Sequence, residues 1–272
     1  MPDLAIASDG LLARVVDDWA IEKLHYVERY MDIFTRGMRR KWRYLNYVDL
    51  FAGPGKSIIR DSQREIDGSP VLALKPKYPF TDLYFNEIDK AAVEALRRRI
   101  RADIAGKVIV RGLDCNVAAR DAADSFLAHR EPGLTLAFID PTGFQISLDS
   151  LAYLTRGHSV DLIITLMTTH LRRLIAIPTM QDTLDAFFGS RDWRTLVDLR
   201  QGGGRITYRK LLDYYEEKLK ALGFDHVDDD IRILKSNRTT NYHLVFASKH
   251  PRGAEFFRKI SKKQASGQQR LL

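Results

Sequence analysis

Leu45-Asn46-Tyr47-Val48-Asp49-Leu50-Phe51-Ala52-Gly53-Pro54-Gly55 reads as a buried strand running into a glycine bend. This constrains the chain more than any other feature. Doubly wound α/β folds seat nucleotide-like ligands where an apolar strand ends in glycines that let backbone approach closely. The bend lacks the third glycine and the immediate helix start that would hold a pyrophosphate. A phosphate-free ligand fits it better. S-adenosylmethionine (SAM), an amino acid joined to an adenosine, meets that description, with its amino group facing Asp49 and with Phe51, Gly53 and Gly55 on the cofactor side of the bend. A plain strand followed by a tight turn is the competing reading.

Apolar residues at Trp19, Leu24, Tyr26, Val27, Tyr30, Met31 and Phe34 have broadly helical spacing, which predicts one or two amphipathic helices in an N-terminal helical extension over residues 1–42. Residues 56–68 are polar and basic and read as a loop, and Ser69-Pro70 reads as an N-cap with proline at the first helical position. Strands are predicted over 83–86, 108–110, 134–139 and 160–166, separated by helices over 91–101, 118–129 and 148–154. A helix over 208–222 stops at Gly223, residues 231–234 and 242–247 form an edge pair of strands, and a last helix covers 253–260. This alternation predicts an α/β chain with a Rossmann-like, doubly wound, mostly parallel seven-stranded sheet, in one domain over residues 1–272. A helical insertion over 168–205, holding Phe187-Phe188-Gly189 and Gly202-Gly203-Gly204, follows the fifth strand and is placed for substrate recognition or as a lid.

Asp49, Glu87, Asp114 and Asp140 each follow a predicted core strand, and a parallel sheet brings all four strand ends to one rim. An acid after the second strand can hold two ribose hydroxyls, which makes Glu87 the ribose candidate. Asp114 can accept from an adenine amine, with the Cys115 backbone beside it. Each acid taken singly also reads as a turn or N-cap residue. Asp140-Pro141-Thr142-Gly143 matches a type I turn. At the end of the fourth strand, however, an Asp-Pro pair is where amino-methylating enzymes of this fold carry their catalytic loop. The carboxylate and the carbonyl that follows it, at Pro141, accept from the target amine and aim its lone pair. Phe144 is the candidate for stacking on a base, and His170, after the fifth strand, the candidate for facing a substrate.

Lys and Arg number 43 against 35 Asp and Glu, giving a net charge of +8 and a pI near 9.5, which favours a polyanionic partner. Arg36, Arg39, Arg40, Lys41 and Arg43 surround Trp42 and Tyr44, a mixture that can follow a nucleic-acid backbone and stack on bases, or simply form a solvated helix end. Arg97, Arg98, Arg99 and Arg101 read as the outer face of a crossover helix. His243 and His250 lack a metal-ligand spacing, so no metal is expected. A single cysteine, no run long enough to span a bilayer and an acidic amino terminus (Asp3, Asp9) point to a cytoplasmic protein.

Several segments together resemble the three-Cys-motif partner proteins (TcmP), a group of class I methyltransferase-like proteins. They are Tyr47 to Gly55, Asp67-Gly68-Ser69-Pro70, Gly112 through Asp114-Cys115-Asn116, Phe138 to Gly143, Phe187-Phe188-Gly189 with Trp193, and Phe246-Ala247-Ser248-Lys249-His250-Pro251. The resemblance implies a SAM-type fold and association with a separate protein bearing a three-cysteine motif; since this chain has only Cys115, any metal or cluster chemistry would belong to that partner. The expected function is SAM-dependent methylation of a nucleic acid at an exocyclic amine. The alternative is a non-catalytic, methyltransferase-like subunit that presents nucleic acid to the partner.

Overall fold

The computed structural model describes residues 3–197, 208–234 and 240–262. In chain order the elements are β1 (Leu4–Ile6), β2 (Leu12–Val16), α1 (Trp19–Met38), β3 (Tyr44–Asp49), β4 (Lys56–Ile59), β5 (Glu65–Asp67), α2 (Ser69–Ala73), β6 (Asp82–Asn86), α3 (Lys90–Arg99) and β7 (Val108–Arg111). There follow α4 (Cys115–Asp121), β8 (Gly133–Ile139), α5 (Leu148–Thr155), β9 (Ser159–Leu166), α6 (Thr168–Ile175), α7 (Gln181–Phe188), α8 (Tyr208–Ala221), β10 (His226–Leu234), β11 (Thr240–Ser248) and α9 (Pro251–Ser261).

The seven-stranded sheet runs β10-β11-β9-β8-β3-β6-β7, parallel throughout except for β11, which is antiparallel to both neighbours. Both faces are covered. Along β3, Leu45 and Tyr47 join the core under α1 and α9, whereas Val48 and Leu50 join the core under α4 and α5, the period of two expected of a strand buried on both sides. Strand order reverses between β3 and β8, so the crevice of a doubly wound sheet opens there. Register does the rest. Asp49 pairs with Phe85 of β6 and Phe138 of β8, so Glu87 and Asp140 emerge two residues beyond its two partners, one on each side.

The amino terminus corrects the expectation of helices alone: β1 and β2 precede the single helix α1, and the segment read as a loop holds β4 and β5. Together they make a second sheet, β1-β2-β4-β5, with β2 parallel to β4. Each strand is too short to declare itself locally, and the two hairpins β1-β2 and β4-β5 become one sheet only where β2 meets β4, 43 residues away at Arg14 and Ser57. Arg99 anchors this sheet. Its side chain, 5% exposed rather than on an outer face, donates to the Asp9 carboxylate at 2.9 and 2.8 Å and to the Leu12 and Pro54 carbonyls at 2.6 Å each. That guanidinium holds the Asp9 carboxyl well below the usual carboxylate range.

The insertion after β9 also differs from a lid over its described part. Phe187, Phe188 and Trp193 are at most 1% exposed; Phe187 stacks on Tyr215 at 4.7 Å, and the Trp193 indole donates to Asp185 at 3.0 Å. These rings are core anchors. Gly202-Gly203-Gly204 lies outside the described residues. Among the described residues no helix is long and apolar enough to cross a membrane.

Helix α1 is tied to the sheet through Tyr30, whose hydroxyl donates to the buried Asp161 carboxylate of β9 at 2.9 Å. Burial pushes that carboxyl up to about 6. Replacing Tyr30 by Phe removes the donor and is expected to lower unfolding free energy by about 1–3 kcal/mol in urea titrations. The loss should be larger at pH 8 than at pH 5, because the ionised carboxylate is the form that needs the donor; equal losses at both would disprove this role.

Candidate functional site

Asp49 ends β3 fully buried. Its carboxylate accepts from the Phe51 amide at 3.0 Å and the Tyr47 hydroxyl at 3.4 Å, and the Ser69 hydroxyl also bonds it, so Ser69 acts from the first turn of α2 rather than as its cap. Past Asp49 the chain turns through Gly53 (φ +63°) and Gly55 (φ +96°), angles that other residues rarely adopt. A Cβ on Gly55 would also lie 3.1 Å from Leu96 and 3.2 Å from Val71. Gly55 therefore fits both the backbone angle and the space.

Glu87 does come to the bend. Only 7% exposed, it accepts from the Gly53 amide at 3.0 Å, from the Asp89 amide at 3.0 Å and from Arg14 of β2 at 3.3 Å. Asn86, which sequence reasoning passed over, staples three strand ends: its amide donates to the Leu50 and Leu113 carbonyls at 3.2 and 3.0 Å and accepts from the Leu113 N–H at 3.0 Å. A polar residue closing the apolar run Leu83-Tyr84-Phe85 was the available signal.

Asp114 is exposed and caps α4, accepting from the Asn116 amide at 2.9 Å. Cys115 is 6% exposed, and burial pushes its thiol up to about 12. Neither residue lines the two compartments described next.

Asp140 occupies the other side of the bend, where Lys23 of α1 donates to its carboxylate at 2.5 Å. The side chains of this pair are 10% and 18% exposed, and the Lys23 ammonium also lies 5.6 Å from the Trp19 ring and 5.5 Å from the Tyr242 ring. Pro141 is buried behind it, and Gln145 closes the following loop by bonding the Gly143 amide and the Thr142 hydroxyl, each at 3.0 Å. Phe144 requires a correction. It is 2% exposed and packs edge-on against Phe187 at 4.8 Å, so the core holds its ring and no base can stack on it.

Two compartments meet at this pair. A small one of about 50 Å³ is walled by the Phe51 to Gly55 bend and Ser69; a larger one of about 390 Å³ is walled by Trp19, Pro141, His170 and Tyr242. Arg14, Val16, Lys23 and Asp140 belong to both walls, so Arg14 and Lys23 partition the cleft. His170 is thus brought to the same cleft as Asp140. Sequence reasoning missed Arg14, Lys23 and Tyr242; only the spacing of Trp19 and Lys23, four apart on one helix face, hinted at a shared surface.

Burial pushes the Asp49 carboxyl up to about 7, with the Asp140 charge adding to it against the bonds from Ser69, Phe51 and Tyr47. An unfolded aspartate titrates near ~3.9. The native state therefore keeps a proton that the unfolded state releases, and stability falls as pH rises from about 4 to about 7, then levels. Asp49→Asn keeps the shape without the titration. Its melting temperature relative to wild type is expected to be higher at pH 8 than at pH 5; a difference independent of pH would refute the raised carboxyl.

No protein-family model and no curated relative matches the sequence. Among solved structures, protein LPL1258 from Legionella pneumophila is similar over 89% of this chain and 91% of that one, at 10% identity and a TM-score of 0.52. Human methyltransferase-like protein 13 in complex with SAH aligns at 14% identity over 88% and 90% of the two chains, with a TM-score of 0.45. M. jannaschii TYW2 in complex with AdoMet aligns at 12% identity over 91% and 84%, with a TM-score of 0.42. The strand order, the antiparallel β11 and the glycine bend after β3 give this chain a Rossmann-like, doubly wound fold with a mostly parallel seven-stranded sheet.

Proposed function

We propose that the chain is a SAM-dependent methyltransferase acting on a nucleic acid at an exocyclic amine, together with a three-Cys-motif protein. The observation that carries this reading is the meeting of the glycine bend, Glu87 and Asp140 at the switch point between β3 and β8. The residue types suit the cofactor, with Arg14 having to yield Glu87, which lines neither compartment while that pair is closed. Glu87 supplies the carboxylate that accepts from a ribose hydroxyl pair; Gly53 and Gly55, bare of Cβ, and Phe51 suit the amino-acid end, with the buried Asp49 shaping the bend. The exposed Asp114 carboxylate, with the Cys115 backbone beside it, suits an adenine amine, and Ile88 and Val117, 66% and 53% exposed on the same rim, suit its faces. When bound, SAM supplies an electrophilic methyl group on a sulfonium.

Asp140 accepts from an ammonium already, which is the geometry an acceptor amine needs; with the Pro141 carbonyl it would hold the nitrogen and direct its lone pair. The acceptor competes with Lys23 for that carboxylate, and His170 and Tyr242 wall the space it enters. A net charge of +8 supports a polyanionic substrate, and the TcmP resemblance supports the partner.

The second reading is a non-catalytic methyltransferase-like subunit. It is favoured by one observation: Arg14 and Lys23, both from the amino-terminal segment, engage Glu87 and Asp140, the two carboxylates the chemistry would use.

Calorimetry with SAM and S-adenosylhomocysteine is the first test, and absence of binding would reject the enzyme reading. Glu87→Gln is expected to weaken SAM about tenfold or more. Incubation with methyl-labelled SAM and separate pools of DNA, transfer RNA and ribosomal RNA, with and without the partner, should label one pool. Asp140→Ala should then reduce labelling about 100-fold or more while SAM binding persists; labelling unchanged by Asp140→Ala would remove that residue from the chemistry.

A further inference from the structure

A further cavity lies at the opposite end of the same strands. About 530 Å³ in volume, it opens where β8 and β9 begin and β11 ends, with Leu134, Val160 and Asp161 in its wall. Leu134 lies near the start of β8 and Asp140 one residue past its end, six positions on, so about 20 Å of sheet separates the cavity from the cleft. Phe34 and Met38 of α1 make an apolar floor, and the half-buried rings of Trp42 and Phe256 stand at its sides. Polar groups line the rest of the wall, Ser159, Ser248 and His250 among them, and the one carboxylate is that of Asp161, fixed by the Tyr30 and Ser248 hydroxyls. A volume of this size, with an apolar floor and rings on one side and a fixed carboxylate among polar groups on the other, is how a small planar ligand is held.

The surroundings are basic. Lys41 and Arg252 are exposed at the cavity, and Arg36, Arg39, Arg40 and Arg43, the cluster conspicuous in the sequence, are exposed on the end of α1 and the segment before β3 that carries Lys41, with Arg39 over the Tyr78 ring at 4.0 Å and Arg43 over Tyr44 at 5.2 Å. Lys249 is already committed, donating to the Thr155 carbonyl at 2.9 Å, and the acid beside Arg252, Glu255, is paired with Lys259 at 2.7 Å. Exposed cations thus outnumber unpaired acids here.

We propose that this cavity receives one unstacked nucleotide of a single-stranded nucleic acid, the base against Trp42 and Phe256 with its exocyclic amine donating to Asp161, and the flanking phosphates on Lys41, Arg252 and the α1 arginines. A polyanion with a planar, amine-bearing ring matches both the charge outside and the acceptor inside. The site deepens the nucleic-acid part of the reading above and is independent of its methyl-transfer part. It anchors the strand about 20 Å from the place of reaction.

Fluorescence anisotropy with labelled single-stranded RNA and DNA oligomers of about twelve nucleotides tests it, one arm for each sugar. Trp42→Ala is expected to weaken binding about 5- to 150-fold and Trp42→Phe much less, since one stacked base contributes about 1–3 kcal/mol. Lys41→Ala with Arg252→Ala should reduce the slope of log affinity against log salt by about 1.4, about 0.7 per phosphate contact. In the unaltered protein, photo-crosslinking of a 4-thiouridine oligomer followed by peptide mass spectrometry should mark Trp42 or Phe256. No oligomer binding, binding indifferent to all these variants while circular dichroism shows them folded, or crosslinks confined to Trp19 and Tyr242 would each overturn the proposal. Oligomer binding without SAM binding would reject the methyl-transfer reading and leave this site standing.

Discussion

Everything at the candidate site depends on the register of β3 between β6 and β8. Pairing of Asp49 with Phe85 and Phe138 sets Glu87 and Asp140 on either side of the glycine bend, and Asn86 locks the ends of β3, β6 and β7 with three hydrogen bonds. A slip by one residue would turn Tyr47 and Val48 to opposite faces and exchange the two cores, so the same apolar burial that stabilises the sheet also aligns the acids. Stability and site geometry have one origin here.

On that frame the amino-terminal segment acts as an electrostatic cover. Arg14 and Lys23 reach the two carboxylates that flank the bend, and Arg99 clamps the small sheet carrying Arg14 onto α3. Paired charges this far from water are costly to separate, since losing one partner strands the other. The cover is therefore part of the fold rather than an appendage. A ligand entering the cleft must exchange with it, because the same two side chains separate the small compartment from the large one.

The parallel sheet has two ends with different chemistry. Its carboxyl end gathers acids, Asp49, Glu87 and Asp140, around a glycine bend; its amino end sets an apolar floor and the Asp161 carboxylate under exposed cations. α1 serves both. Lys23, near its start, meets Asp140, while Phe34 and Met38, near its end, floor the far cavity, and Tyr30 between them holds Asp161. One helix thus couples the placement of two sites through its 3.6-residue repeat and its length.

What the sequence determined by itself was local: the apolar periodicity of the seven sheet strands and their crossover helices, the glycine bend, and the acids at the strand ends, all carried by neighbouring residues whose backbone preferences agree. Its errors were of two kinds. Strands of three to five residues at the amino terminus and in 56–68 were hidden because they are short and the pairing that joins their two hairpins is remote, and Phe144 and Arg99 were misjudged because exposure belongs to packing, not to residue type. The tertiary structure alone decided which charges meet. Arg14 finds Glu87 across 73 positions and Lys23 finds Asp140 across 117, separations over which no local propensity acts and only chain folding brings a cation to its carboxylate.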